Sequence, residues 1–318
     1  MVSARPRVLA WPIGDRLVAS SRLRLYAPLA ELATELDVNI IEPGSAERRR
    51  PVGLLDDVDL CYLQKDARPP ARALVEDAAR RGIPVVYDLD DDIGCWHGMD
   101  ERGALTLASA VVVDSPHRAA DVTPGASRTT AIPCMIDLAG DRDRWTHRPP
   151  GTLASVGTFG NRSSLEGTRE YLEAVPSSMQ VRVIGPPDAR SAFPGVDYRD
   201  FTLGSFVADV LASDVALLAH DRAEAARKDE NRLVMALSCQ RAAFVSPTPS
   251  YQALLREIDA EDLVVETPED LGRALATLEP GQLATLADAG HSYVWQTYGP
   301  RAISARLLAV FLEALASG

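Results

Sequence analysis

Apolar positions along the chain fall into two kinds of run. Short, nearly continuous runs read as buried strands: Val8–Ile13, Val38–Ile41, Val58–Leu63, Pro84–Leu89, Ala110–Val113 and Ala131–Ile132. Between them apolar residues recur at helical spacing, as in Leu25, Leu29, Leu32 and Leu36, and a helix around Arg72–Arg81 is stopped by Gly82. Pro28 falls inside the first series, so that helix starts late or is kinked there. The polar, breaker-rich stretch Asp141–Gly151 then interrupts the pattern and reads as a linker. The alternation restarts with Leu153–Val156, a helix to about Val175, Val181–Ile184, Val215–Ala219, a helix to about Cys239, and Ala242–Val245. Leu263–Val265 precedes Pro268–Leu278 and two more helical stretches. The last of these, Pro300–Ala316, is apolar on one face through Ile303, Leu307, Val310, Phe311 and Leu315. Strand–helix alternation predicts an α/β protein with parallel sheets covered on both faces, in two halves spanning residues 1–148 and 149–300.

Bulk numbers narrow the classes of function. A chain of 318 residues suits two domains, and 46% hydrophobic with 25% charged residues argues against disorder. The net charge of −12 disfavours nucleic acid, because an acidic field repels a phosphate backbone; a small phosphorylated ligand held by local donors stays compatible. Cys61, Cys95, Cys134 and Cys239 are scattered, which speaks against a structural zinc or a disulfide framework and for a reducing cytoplasm. No apolar run approaches the roughly 18 residues of a membrane span, and the opening residues lack the signal-peptide pattern. The expectation is a soluble, cytoplasmic protein whose membrane contact is at most peripheral.

Four stretches carry candidate chemistry. In Ser155-Val-Gly-Thr-Phe-Gly-Asn-Arg-Ser-Ser-Leu-Glu166 a strand runs into a two-glycine loop, and Ser163 with Glu166 fits a capping box. Such a loop lets a phosphate approach the backbone and the N-terminus of a helix; it also reads as a plain strand–turn–helix. Arg227-Lys-Asp-Glu-Asn-Arg232 sits between a strand and an apolar helix, where Lys228, Asn231 and Arg232 suit a diphosphate, or form a solvated charged face. Ser20, Ser21, Arg22 and Arg24 follow the first strand and offer hydroxyls and guanidinium groups to phosphate or acceptor oxygens, or else a serine cap with two solvated arginines. Asp88-Leu-Asp-Asp-Asp92 crowds carboxylates at one strand end, which calls for an offsetting cation, an arginine or a protonated member, unless it is an Asp-rich turn. His97 is a titratable neighbour.

The order of these pieces resembles the GT-B glycosyltransferases, most closely the bacterial family 4-like (group 1) members. Ser21-Arg22-Leu-Arg24, Val86-Tyr-Asp-Leu-Asp-Asp-Asp92, Val112-Val-Asp-Ser115 and Ile132-Pro…Ile136-Asp137 resemble their N-terminal half. Val156-Gly-Thr-Phe-Gly-Asn161, Val183-Ile-Gly185, Lys228-Asp-Glu-Asn-Arg232 and Phe244-Val-Ser246…Tyr251 resemble their donor-binding half. The resemblance implies two Rossmann-like domains facing across a cleft, an N-terminal acceptor side, a C-terminal nucleotide-sugar side, and a closing helix at 301–318 that packs back on the first domain. It implies transfer from a nucleoside-diphosphate sugar to a hydroxyl acceptor without a cofactor or an essential metal. Gly157, Thr158 and Asn161 become the loop by the phosphates, and Lys228, Asn231 and Arg232 the diphosphate clamp. Ser20, Ser21, Arg22, Arg24 and Asp88 lie on the acceptor or phosphate side. Asp90, Asp91, Asp92 and His97 supply the base if configuration inverts, and position groups if it is retained. Many members carry two glutamates eight positions apart. Arg227 and Met235 stand at those positions here, and Gln240 and Ala242 replace the usual glycine and proline.

Other readings share these residues. Asp88-Leu-Asp90 fits an Asp-x-Asp pattern that could hold Mg²⁺ or Mn²⁺ with a diphosphate. The absent glutamates suit a nucleotide-sugar-binding partner without catalysis. A dehydrogenase is disfavoured, because no Gly-x-Gly-x-x-Gly follows the first strand.

Overall fold

Successive residues of a strand face opposite sides of its sheet, so apolar runs such as these are buried only where both faces are covered. The computed structural model describes residues 5–51, 53–90, 101–122, 128–138, 153–221, 225 and 228–317. In it β1 (Arg7–Trp11), β2 (Asp37–Ile40), β3 (Leu60–Gln64), β4 (Val85–Leu89), β5 (Ala110–Val113) and β6 (Thr129–Ala131) form one parallel sheet, in the order β2-β1-β3-β4-β5-β6. Leu9, Trp11, Cys61, Leu63, Val85, Tyr87, Val111 and Val113 face one core layer, with the helix Pro69–Arg81 packed on them through Leu74, Val75 and Ala78. That helix ends at Gly82, whose φ of 71° is the left-handed conformation that stops it. Val8, Ala10, Leu60, Tyr62, Val86 and Val112 face the other layer.

The second layer is built by two distant helical stretches. Residues Ala19–Ser21 and Ala27–Glu31 are α-helical, with a π-helical turn, Arg22–Tyr26, between them. Pro28 explains the irregularity: it has no N–H to give to the carbonyl of Arg24 one turn earlier. The Tyr62 hydroxyl fills that gap, 2.8 Å from the Arg24 oxygen. Against this stretch lies the helix Pro300–Ser317, which buries Ile303, Leu307, Val310, Phe311 and Ala314 with Leu25, Tyr26, Leu29 and Leu32. The Phe311 ring meets Tyr62 edge-on at 5.1 Å.

The second sheet is also parallel: β7 (Ser155–Phe159), β8 (Gln180–Gly185), β9 (Asp197–Asp200), β10 (Val215–Leu218) and β11 (Ala243–Val245), in the order β11-β10-β7-β8-β9. The edge strand β9 escapes the apolar pattern because only Tyr198 of Asp-Tyr-Arg-Asp is buried. The apolar Leu263–Val265 stretch is reached through a 3₁₀ turn (Glu261–Leu263) and makes a single bridge, from Val264 to Val245. The chain divides into two compact units, Met1–Asp137 with Tyr298–Gly318, and Leu138–Thr297. The linker expected at Asp141–Gly151 lies outside the described residues. Among the described residues no helix is long and apolar enough to cross a membrane.

Candidate functional site

In an open parallel sheet, ligands collect at the C-terminal strand ends where neighbouring strands connect in opposite directions. In the second unit this point lies between β7 and β10, since β8 follows β7 on one side and β10 lies on the other. Arg232, in the first turn of the helix Asn231–Ser238, spans that point. Its Nε donates to the Phe159 carbonyl at the end of β7 (2.7 Å), and its Nη1 to the Ala219 carbonyl just beyond β10 (3.3 Å). The guanidinium lies 5.8 Å from the centre of the Phe159 ring, and its Nη2 is buried without a hydrogen-bond partner among the described residues. Burial pushes the Arg232 pKa down, opposed by the Tyr251 hydroxyl beside it and by Asp229.

Gly160 makes this arrangement possible. A Cβ there would come within 2.9 Å of Ser164 Cβ and 3.3 Å of the Arg232 guanidinium. The helix Arg162–Glu173 begins two residues later. Its cap is Asn161, whose Oδ1 accepts from Ser164 N at 3.0 Å; the expected Ser163/Glu166 capping box is replaced, and Glu166 pairs with Arg162 instead. Asn161 thus serves the helix. Gly157 lies inside β7 against Ser213, where a Cβ would approach Oγ to 2.5 Å, so its smallness serves packing rather than a phosphate. Thr158 is fully buried and its Oγ1 has no partner among the described residues.

Lys228 precedes the helix and is half-buried; its carbonyl accepts from Ser250 Oγ at 2.6 Å. Asn231 opens the helix, its N–H donating to Asp229 Oδ1 at 3.2 Å. Two further members of the site are His220 and Tyr251, both buried, with Nε2 and Oη 2.9 Å apart. Burial, helped by the charges of Arg232 and Lys228, pushes the His220 imidazole down to about 3, so it is neutral at physiological pH. Sequence reasoning passed over His220. The available signal was a titratable residue directly after the apolar strand Val215–Ala219.

The first unit corrects several expectations. Arg24 and Asp88 do not face a ligand: they form a bidentate pair of 2.7 and 2.8 Å, each about 2% exposed or less, beneath the helix that carries Arg24. The remaining Arg24 Nη1 bond goes to the Ile132 carbonyl at 2.9 Å. Burial raises the Asp88 pKa and the Arg24 guanidinium opposes it, which answers the call for an arginine beside crowded carboxylates. Ser21 is also buried. Its Oγ donates to Gln64 Oε1 (2.9 Å) and accepts from Gly14 N (3.0 Å), which fastens the loop after β1. Arg22 pairs with Asp137 at 3.1 Å, and Ser20 is half-exposed. Asp90 pairs with Lys65 at 2.9 Å, both side chains under a tenth exposed. Asp91, Asp92 and His97 lie outside the described residues. Among the described residues no cluster of side chains suits a metal ion.

Two parallel sheets, each with its own switch point, define the pair of Rossmann-like domains of the GT-B architecture. No protein-family model matches the sequence, and no curated protein matches it. Solved structures do. An alpha,alpha-trehalose-phosphate synthase (UDP-forming) from Burkholderia vietnamiensis superposes with a TM-score of 0.65 at 10% identity, over 99% of this chain and 100% of that one. A putative UDP-N-acetylglucosamine 2-epimerase from Listeria monocytogenes gives 0.55 at 11% identity, over 99% and 98%. A TarM mutant of S. aureus, in complex with Fondaparinux, alpha-GlcNAc-glycerol and UDP, gives 0.57 at 10% identity, over 82% of this chain and 57% of TarM. At such identities the likeness is one of fold, and the chemistry rests on the site.

Proposed function

We propose that the protein is a glycosyltransferase that moves a sugar from a nucleoside-diphosphate sugar to a hydroxyl acceptor, with the donor diphosphate held in the second unit. The observation that carries this reading is Arg232: a buried guanidinium fixed across the ends of β7 and β10 at the switch point. Several solved structures of the same fold hold UDP or are named for a UDP-linked reaction, which supports a nucleotide-sugar ligand.

The chemistry follows from charge. The acceptor oxygen bonds to the anomeric carbon as the bond from that carbon to the phosphate oxygen breaks, and the electron pair leaves on the diphosphate. Arg232, Lys228 and the N-terminus of the helix Arg162–Glu173 stabilise that growing negative charge. The acceptor proton passes to a protein base if configuration inverts, or to the departing phosphate if it is retained. We place no metal in the reaction: Arg24 and Lys65 already engage Asp88 and Asp90, so neither carboxylate is free to hold a divalent cation with the donor.

The test is turnover of a panel of UDP-, GDP-, TDP-, CDP- and ADP-sugars, with and without EDTA. Acceptor-dependent release of nucleoside diphosphate that survives EDTA is expected. Lys228→Ala is expected to lower that rate by roughly 10²–10³-fold with the fold intact. Normal turnover in the variant would remove Lys228 from the site. Interconversion of donor sugars without release of the nucleotide would assign an epimerase to the same fold.

A further inference from the structure

We infer that His220 binds the ligand directly, donating from Nδ1 to an oxygen of the bound diphosphate; this rests on the diphosphate site proposed above. The residue is held from two sides. Its backbone N–H donates to Ser246 Oγ at 2.9 Å, just past β11. On the other side Gly167 brings the helix Arg162–Glu173 so close that a Cβ there would lie 2.9 Å from the His220 carbonyl carbon and 2.5 Å from Asp221 N. The imidazole is therefore placed by the backbone.

Its proton is placed by Tyr251. That hydroxyl lies against the Arg232 guanidinium, and a guanidinium only donates, so a lone pair of the tyrosine oxygen faces Arg232. The Tyr251 proton then goes to His220 Nε2, 2.9 Å away. A neutral imidazole that accepts at Nε2 carries its own proton on Nδ1. That Nδ1 is buried and has no partner among the described residues. A buried donor without an acceptor is costly to keep unless a ligand supplies the oxygen.

The charges around the ring define what that ligand is. Lys228 and Arg232 act on His220, Asp229 acts on both Arg232 and Tyr251, and Glu230 acts on Tyr251. Burial, helped by these cations, keeps the imidazole neutral, so it contributes a hydrogen bond rather than a charge. A neutral N–H, a guanidinium N–H and a lysine together match an anion with several oxygens, and a diphosphate has them.

Calorimetric titration of the whole chain with inorganic pyrophosphate and with UDP tests this. His220→Phe is expected to weaken pyrophosphate binding by about tenfold, the loss of one aimed donor. Nitrogen-15 NMR of the wild-type protein is expected to show the His220 proton on Nδ1, with a resonance that moves on adding pyrophosphate. Unchanged pyrophosphate affinity in folded His220→Phe overturns the inference, and so does a wild-type imidazole protonated on Nε2 instead. If His220→Phe does not fold, the NMR measurement decides alone. Pyrophosphate binding that needs His220 but no donor turnover would leave this inference standing and overturn the transferase. A wild-type protein that binds neither probe overturns both.

Discussion

Arg24 and Asp88 neutralise each other inside the first unit, and such a pair is worth far less than the penalty for breaking it. Asp88→Asn strands a guanidinium that has no route to water, so a loss of about 3–5 kcal/mol is expected in urea unfolding. A double change to Arg24→Met with Asp88→Leu is expected to restore most of that loss, since it removes both desolvation costs. The sign of the effect at His220 runs with pH. Its folded-state pKa near 3 lies below the ordinary value of 6.5, so the unfolded chain binds the proton first as pH falls. Stability from this group is complete above pH 6.5 and drains away as pH drops from there toward 3, by up to about 1.4 kcal/mol per pH unit. Denaturation of the wild type and of His220→Gln across that window is expected to show a shallower slope in the variant.

At the scale of elements, Gln240 shows how the chain keeps a turn after losing its usual residue. Its φ of 55° is left-handed, at the position where the resemblance expects glycine. Relief of roughly 1–2 kcal/mol of steric strain outweighs the backbone entropy of glycine, about 0.5–1 kcal/mol. Gln240→Gly is therefore expected to raise the melting temperature slightly, although it gives up a contact with Asp288. The next residue, Arg241, is buried and spends its guanidinium on the carbonyls of Ser213, Leu211 and Gln240, partly finishing the helix Phe206–Leu211. The apolar strands were legible because burial on both faces leaves an uninterrupted run, and Gly82 was legible as a helix stop. What stayed hidden had a physical cause in each case. Strand β9 has a polar edge, and Asn161 outcompeted Ser163 for the cap because the helix starts at Arg162. Arg24 and Asp88 lie 64 positions apart, so nothing in either stretch announces that each is the other's partner. The diphosphate candidates Lys228 and Arg232 were legible as a basic cluster before a helix. His220 entered only once the strand ends were assembled.

For the molecule as a whole, the helix Pro300–Ser317 supplies a large part of one layer of the first unit. A chain ending at Gly299 loses Ile303, Leu307, Val310 and Phe311 together, each worth about 1.5–3 kcal/mol of burial. Calorimetry of that truncated chain is expected to show the transition of the first unit abolished and that of Leu138–Thr297 retained. The same feature orders events during synthesis. The six strands of the first sheet leave the ribosome early, but the helix that covers one of their faces is made only after all of Leu138–Thr297. At about 5–20 residues per second that wait is on the order of ten seconds. The second unit, complete within one uninterrupted stretch of chain, can therefore fold before the first, which spends the interval with part of an apolar sheet face uncovered.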